Sequence, residues 1–132
     1  MITYRVAEAA GVLGVSDDTV RRWIDAGRLA AGAGDDGRLH VEGADLAALA
    51  RSLADTNPDG TPRASSVSAR NRLRGIVTAV KKDTVMAQVE MVCGPYRMVS
   101  LMSTEAADEL GLAPGVLALA SVKSTNVVVE LP

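Results

Sequence analysis

The chain contains no phenylalanine, one tryptophan (Trp23), two tyrosines (Tyr4 and Tyr96), one histidine (His40) and one cysteine (Cys93). Each scarcity closes off a class of function. Three aromatic side chains are too few for the stacking platforms of single-strand nucleic-acid binders. One cysteine forms no intramolecular disulfide, and with only His40 beside it builds no Cys/His zinc site. Nucleophilic chemistry of the Cys–His kind would rest on two residues in unrelated local contexts. No apolar run approaches the roughly 18 residues of a membrane-spanning helix. The first residues, MITYRVAEAA, lack the basic and apolar regions of an export signal, so a soluble cytoplasmic protein in a reducing compartment is expected. A basic excess is missing too: 14 Lys+Arg stand against 16 Asp+Glu, and the pI is near 5.3. Nucleic-acid-binding domains often have a pI above about 9, so composition alone argues against DNA.

What is present divides the 132 residues in two. Residues 55–67, DTNPDGTPRASSV, are rich in turn formers and lack apolar periodicity, which reads as a linker. Before it the apolar spacing is helical and alanine dominates. Beyond it the period is two, and 11 of the 17 valines lie there, which marks a β domain. The expected organisation is α+β with two small domains: helical residues 1–54, linker 55–67, and β residues 68–132. Domains this small bury little surface and gain from oligomerisation.

In the first half, Val6, Ala9, Ala10 and Leu13 form one face of a short helix. Gly14 permits a tight turn, and Ser16 caps a second helix through Ala26, with Val20, Trp23 and Ile24 facing inward and Gly27 as its stop. Residues 28–41 read as two short strands around AGAGDDG, and a third helix turns Leu46, Leu49, Ala50 and Leu53 inward. In the second half, strands are expected over Leu73–Val80, around Val85–Met91, Tyr96–Met102, Val116–Val122 and Asn126–Leu131. Lys81-Lys82-Asp83 and Cys93-Gly94-Pro95 read as turns, and Ser103 caps a helix closed by Gly111. Five short strands with one short helix suggest an OB-like Greek-key β-barrel.

Two short helices joined by a glycine turn, the second exposing Arg21 and Arg22, form a helix-turn-helix pattern. With Tyr4-Arg5-Val6-Ala7-Glu8-Ala9-Ala10, Leu13-Gly14-Val15-Ser16, Thr19-Val20-Arg21-Arg22-Trp23 and Gly27-Arg28-Leu29, residues 2–53 resemble the winged helix-turn-helix domains of the MerR and excisionase families. The resemblance implies that Ser16, Thr19, Arg21 and Arg22 meet the major groove of double-stranded DNA or its phosphates, while Arg38 and His40 in the wing touch backbone. The plain reading of the arginines is a solvated helix face, and of Trp23 a core residue. Asp17, Asp18, Asp35 and Asp36 stand where basic residues would help, so a single copy is expected to read DNA weakly.

In the second half, Ser68-Ala69-Arg70-Asn71 and Lys123-Ser124-Thr125 supply hydroxyl, guanidinium, amide and ammonium donors suited to a small tetrahedral dianion. These stretches, with SLMSTEAADELGL between them, resemble the molbindin (Mop or TOBE) domains. The resemblance implies molybdate or tungstate bound between subunits, lined by Ser68, Arg70, Asn71, Ser103, Lys123 and Ser124, with no organic cofactor. Ala106 falls where some relatives have a second hydroxyl. One domain copy per chain implies a homo-oligomer, a hexamer built as a trimer of dimers. The plain reading is that Ser68 and Asn71 cap a strand entry and Lys123 is a surface lysine. The leading functional expectation is an oxyanion-responsive DNA-binding transcription regulator. The alternatives are an intracellular molybdate or tungstate store whose N-terminal domain serves assembly, and a DNA-binding protein whose barrel only oligomerises it. No activated nucleophile or acid–base pair points to an enzyme.

Overall fold

A computed structural model of the chain describes residues 2–55 and 71–132, which fall into two compact units, Met1–Arg63 and Ala64–Pro132. The expected linker 55–67 and the candidate residues Ser68 and Arg70 lie almost wholly outside the described residues. Helix and sheet are mixed, as the change of period at the middle of the chain requires.

The first unit opens with a short strand, β1 (Thr3–Arg5), which the sequence pattern does not announce. It pairs antiparallel with β3 (Leu39–Glu42), which also pairs with the two-residue β2 (Gly32–Ala33), in the order β1-β3-β2. Helix α1 (Val6–Leu13) starts directly from β1 and buries Val6, Ala9 and Ala10. It ends at Gly14, whose φ of 67° lies in the left-handed region that glycine enters without penalty. Helix α2 (Asp17–Asp25) begins at Ser16, whose hydroxyl accepts the backbone N–H of Thr19. Asp17 and Asp18 sit in its first turn, where the helix dipole favours negative charge. Helix α3 (Gly43–Asp55) contributes Leu46 and Leu49. With Val20, Leu29 and Val41 these form one core, against which Leu13, Trp23, Ile24 and Leu53 pack half-buried.

The second unit is an antiparallel sheet of four strands in the order β6-β5-β4-β7 among the described residues. Strand β4 (Asn71–Lys82) is longer than the spacing predicts; the expected turn Lys81-Lys82 still belongs to its ladder with β5 (Met86–Cys93). A shift of register between Val77 and Ala79 interrupts the alternation there, which explains why periodicity underestimates the strand. Cys93 ends β5 buried rather than lying in a turn, and its thiol donates to the Leu73 carbonyl at 3.7 Å. Strand β6 (Tyr96–Ser103) leads into helix α4 (Thr104–Glu109), capped by the Ser103 hydroxyl. Strand β7 (Leu117–Val122) pairs with the first half of β4. The expected fifth strand over Asn126–Leu131 is not formed: Ser124–Asn126 make a 3-10 turn, and residues 127–132 run on without a ladder partner. A strand exists only where it pairs with an edge, and this segment pairs with none among the described residues.

Candidate functional site

The first candidate surface gathers around α2. Ser16 and Thr19 are spent partly on local structure: Thr19 N–H donates to Ser16 Oγ at 3.2 Å, and the two hydroxyls lie 2.9 Å apart. Arg22 Nη2 donates to Thr19 Oγ1 at 3.2 Å, so this guanidinium is anchored on the exposed side of the helix. Arg21 lies one residue earlier and faces a different way. With Arg5, from the β1–α1 junction, and Arg38, from the start of the β3 arm, it lines an open recess of about 540 Å³ bordered by Val6, Ala7, Asp17 and Leu39. Three cations from three elements thus meet one hollow with a single carboxylate in its lining.

Arg5 belongs to the quoted helix-turn-helix pattern but carries no expected role there. Its guanidinium is held by Glu8, with Nε 3.1 Å and Nη2 3.0 Å from Oε1. This side-chain bond, with the Arg5 backbone N–H adding to it, lowers the Glu8 carboxyl below the usual glutamate range. The sequence signal was available: a glutamate three residues on from an arginine at a helix start forms a reciprocal cap.

Asp36, one of the acids standing where a basic residue would help, has an internal task. Its Oδ1 accepts the Arg38 backbone N–H at 3.0 Å and meets His40 Nε2 at 3.0 Å. The backbone bond and then the His40 contact hold its carboxyl below the ordinary aspartate range. The acid therefore shapes the arm that presents Arg38, and His40 sits half-buried against it rather than projecting outward.

The second candidate surface is one end of the four-stranded sheet. Asn71 stands opposite Val122, and its Nδ2 donates to the Val122 carbonyl at 3.1 Å. That bond fixes the point where β7 hands over to Lys123 and Ser124. The Asn126 N–H bonds the Lys123 carbonyl at 2.9 Å, and the Val127 N–H bonds the Ser124 carbonyl at 3.3 Å, which closes the 3-10 turn. Both side chains at this turn are exposed. Residues 71–74 and 121–126 include Arg72, Arg74 and Lys123 and no carboxylate, so this end suits an anion.

Ser103 is not there. It pairs with Met86 at the far end of β5, roughly 35 Å along the strands from Asn71 by the usual rise per residue. Its hydroxyl accepts the Ala106 N–H at 3.1 Å. Within one chain, Asn71, Lys123 and Ser124 are brought together and Ser103 is kept apart from them.

These surfaces fall in two families. Residues 3–54 match the helix-turn-helix domain family, and residues 67–129 match the TOBE domain family. Molybdenum-pterin-binding protein 2 of Clostridium pasteurianum is 40% identical over 65 residues, covering 48% of this chain and 96% of that protein. Among solved structures, a molybdate-binding protein from Sporomusa ovata is 32% identical, covering 50% of this chain and 98% of that one, with a TM-score of 0.48. The cytoplasmic molybdate-binding protein ModG is 36% identical over 58% of this chain and 52% of its own, also with a TM-score of 0.48. The chain belongs to the TOBE family of molybdenum-pterin-binding proteins and carries a helix-turn-helix domain ahead of that part.

Proposed function

We propose that the protein is a molybdate- or tungstate-responsive DNA-binding transcription regulator acting in the cytoplasm and without enzymatic activity. The observation that carries the reading is the union, in one chain, of a recess lined by Arg5, Arg21 and Arg38 and, in a TOBE domain, a sheet end that bears Arg72 and Lys123. In this reading residues 1–54 are the DNA reader, 55–67 the linker and 68–132 the oxyanion domain. The hairpin of β2 and β3 serves as the wing. Ser16, Thr19, Arg21 and Arg22 face the major groove or its phosphates, with Arg38 and His40 at the backbone; Arg5 joins them.

Oxyanion is held by Ser68, Arg70, Lys123 and Ser124, with Asn71 fixing the turn that carries the last two. Because Ser103 lies at the other end of the sheet, it reaches an anion only from another copy, which supports sites between subunits of a hexamer. An anion bound only by the assembled state stabilises it by about 2.7 kcal/mol at a hundredfold excess over Kd. Assembly in turn sets how many readers meet the DNA together.

A second reading, storage, is favoured by one fact. The 65 residues shared with the Clostridium protein make up 96% of it, so that relative has no room for a reader domain. Electrophoretic shift of the protein's own promoter DNA, with and without molybdate, separates the two. The regulator reading expects a shift that changes with the anion and is lost in Arg21→Ala/Arg22→Ala. Calorimetric binding of molybdate with no DNA shift leaves storage.

A further inference from the structure

One acid at the cationic recess of the first unit keeps its acceptors unengaged. Glu8 is tied to Arg5, and Asp36 to the Arg38 N–H and His40. Asp17 is the first residue of α2 and borders the recess together with Arg5, Arg21 and Arg38. It is exposed, and among the described residues its carboxylate has no hydrogen-bond or ion-pair partner. Arg21 lies one turn further along the same face, at a spacing where acid and base on a helix commonly pair, and these two do not. Asp18 shares the first turn of α2 but is not part of the recess lining. The helix dipole accounts for an acid at either position, but not for one set among three guanidiniums.

Duplex DNA surrounds such a residue with acceptors. Phosphate oxygens, guanine O6 and N7, adenine N7 and thymine O4 all accept, and each repels a carboxylate. Donors in the major groove come only from the amino groups of cytosine and adenine. The adenine N6 amino group lies between two acceptors, its own N7 and the O4 of the paired thymine. The cytosine N4 amino group has an acceptor on one side only, the guanine O6. A carboxylate at the start of a recognition helix, where base edges are usually met, is therefore satisfied best by cytosine.

Building on the regulator reading, in which the first unit meets DNA, we propose that Asp17 is a specificity-determining residue whose carboxylate accepts the N4–H of one cytosine in the major groove. Arg5, Arg21 and Arg38 supply the attraction that brings this acid to the groove. Thymine or guanine in place of the cytosine sets an acceptor against the carboxylate, so Asp17 works by rejection as much as by contact. The residue that weakens binding to DNA in general thus sharpens the preference for one base pair.

Selection from randomised duplexes with the full chain gives the preferred site. Fluorescence anisotropy on that duplex and on its single-base-pair variants then reads the preference. The parent should lose roughly tenfold in affinity when one cytosine becomes thymine, within the usual cost of a mismatched pair. Asp17→Ala should bind those two duplexes equally, and the thymine duplex more tightly than the parent does. Its salt slope should match the parent's, because no phosphate contact is lost. Asp17→Asn should move the preference to adenine, since an amide accepts from N6 and donates to N7. Asp18→Ala removes the same charge from the same turn and should keep the parent's ratio. All three variants retain the Ser16 cap and should match the parent's circular dichroism. An Asp17→Ala protein that binds every duplex more tightly by one factor, with the preference intact, overturns the assignment and leaves the acid a helix start. A parent that binds all duplexes alike also overturns it, while DNA binding stands. A parent that binds no duplex refutes the regulator reading itself, and the assignment with it.

Discussion

Ser16 shows how one residue serves two demands. Its hydroxyl accepts the Thr19 N–H and so starts α2, and it also stands on the face expected to meet DNA. The two roles separate by substitution. Ser16→Ala should lose about 1 kcal/mol of stability, the usual worth of such a cap, in urea unfolding of the protein. Ser16→Asp keeps the cap and suits the helix dipole, so its stability should stay at the parent value. Its carboxylate should nevertheless repel phosphate, and DNA affinity measured by anisotropy should fall. Equal affinity in Ser16→Asp and the parent would leave Ser16 a cap alone. Gly75 is constrained differently. A Cβ there would collide with the Val92 carbonyl and come 2.7 Å from Cys93 Sγ, both on the neighbouring strand. Gly75→Ala should therefore cost roughly 1–3 kcal/mol, the range for overpacking a filled site, read as a lowered urea midpoint.

At the scale of elements, the β2–β3 hairpin depends on Asp36 as an anion. Its folded carboxyl is held low by the Arg38 N–H and by His40, so the stabilisation is complete above the ordinary aspartate range and disappears as pH falls through the depressed value. Acid titration followed by the Arg38 amide resonance should show the hairpin loosening at that step, and Asp36→Asn should remove the step. The elements also show what a sequence can and cannot disclose. Both α1 and α2 were legible because Gly14 and Ser16 mark their ends by local chemistry. The core of the first unit was legible for the same reason, since helical spacing is a local property. Strand β1 was not, because three residues carry no period and the segment is a strand only through its pairing with β3. The tail at Val127–Leu131 reads as a strand and is not one in a single copy, since pairing requires an edge that the local sequence cannot supply. The site divides along the same line. Arg21 and Arg38 were visible as residues, but their meeting with Arg5 across three elements is tertiary geometry. Ser103 was matched to the other anion residues by pattern, while strand register puts it at the opposite end of the sheet.

For the whole molecule, net charge and local charge point in opposite directions. Residues 1–54 carry a net charge of −2, yet Asp17 and Asp18 serve a helix start, Asp36 shapes the hairpin and Glu8 orients Arg5. Acids committed to local structure leave Arg5, Arg21 and Arg38 to define the recess. Three cations reach about three phosphates, so one copy should bind DNA with a salt slope of log K near −3, at about −0.9 per phosphate. Such binding is weak at physiological salt, and useful affinity requires two readers held together. A pair should show a slope of about −5, weakening by roughly two for each arginine removed from both readers. Anisotropy titrations of promoter DNA across a salt series, with the protein held below and above the concentration at which it assembles, measure this directly. The steeper slope should belong to the assembled protein and the shallower to the single copy, with molybdate extending the steeper slope to lower protein concentration if it favours assembly. An assembled parent with the slope of a single copy would mean that its readers bind one at a time, and the proposed route from anion to DNA would then be broken at its middle step.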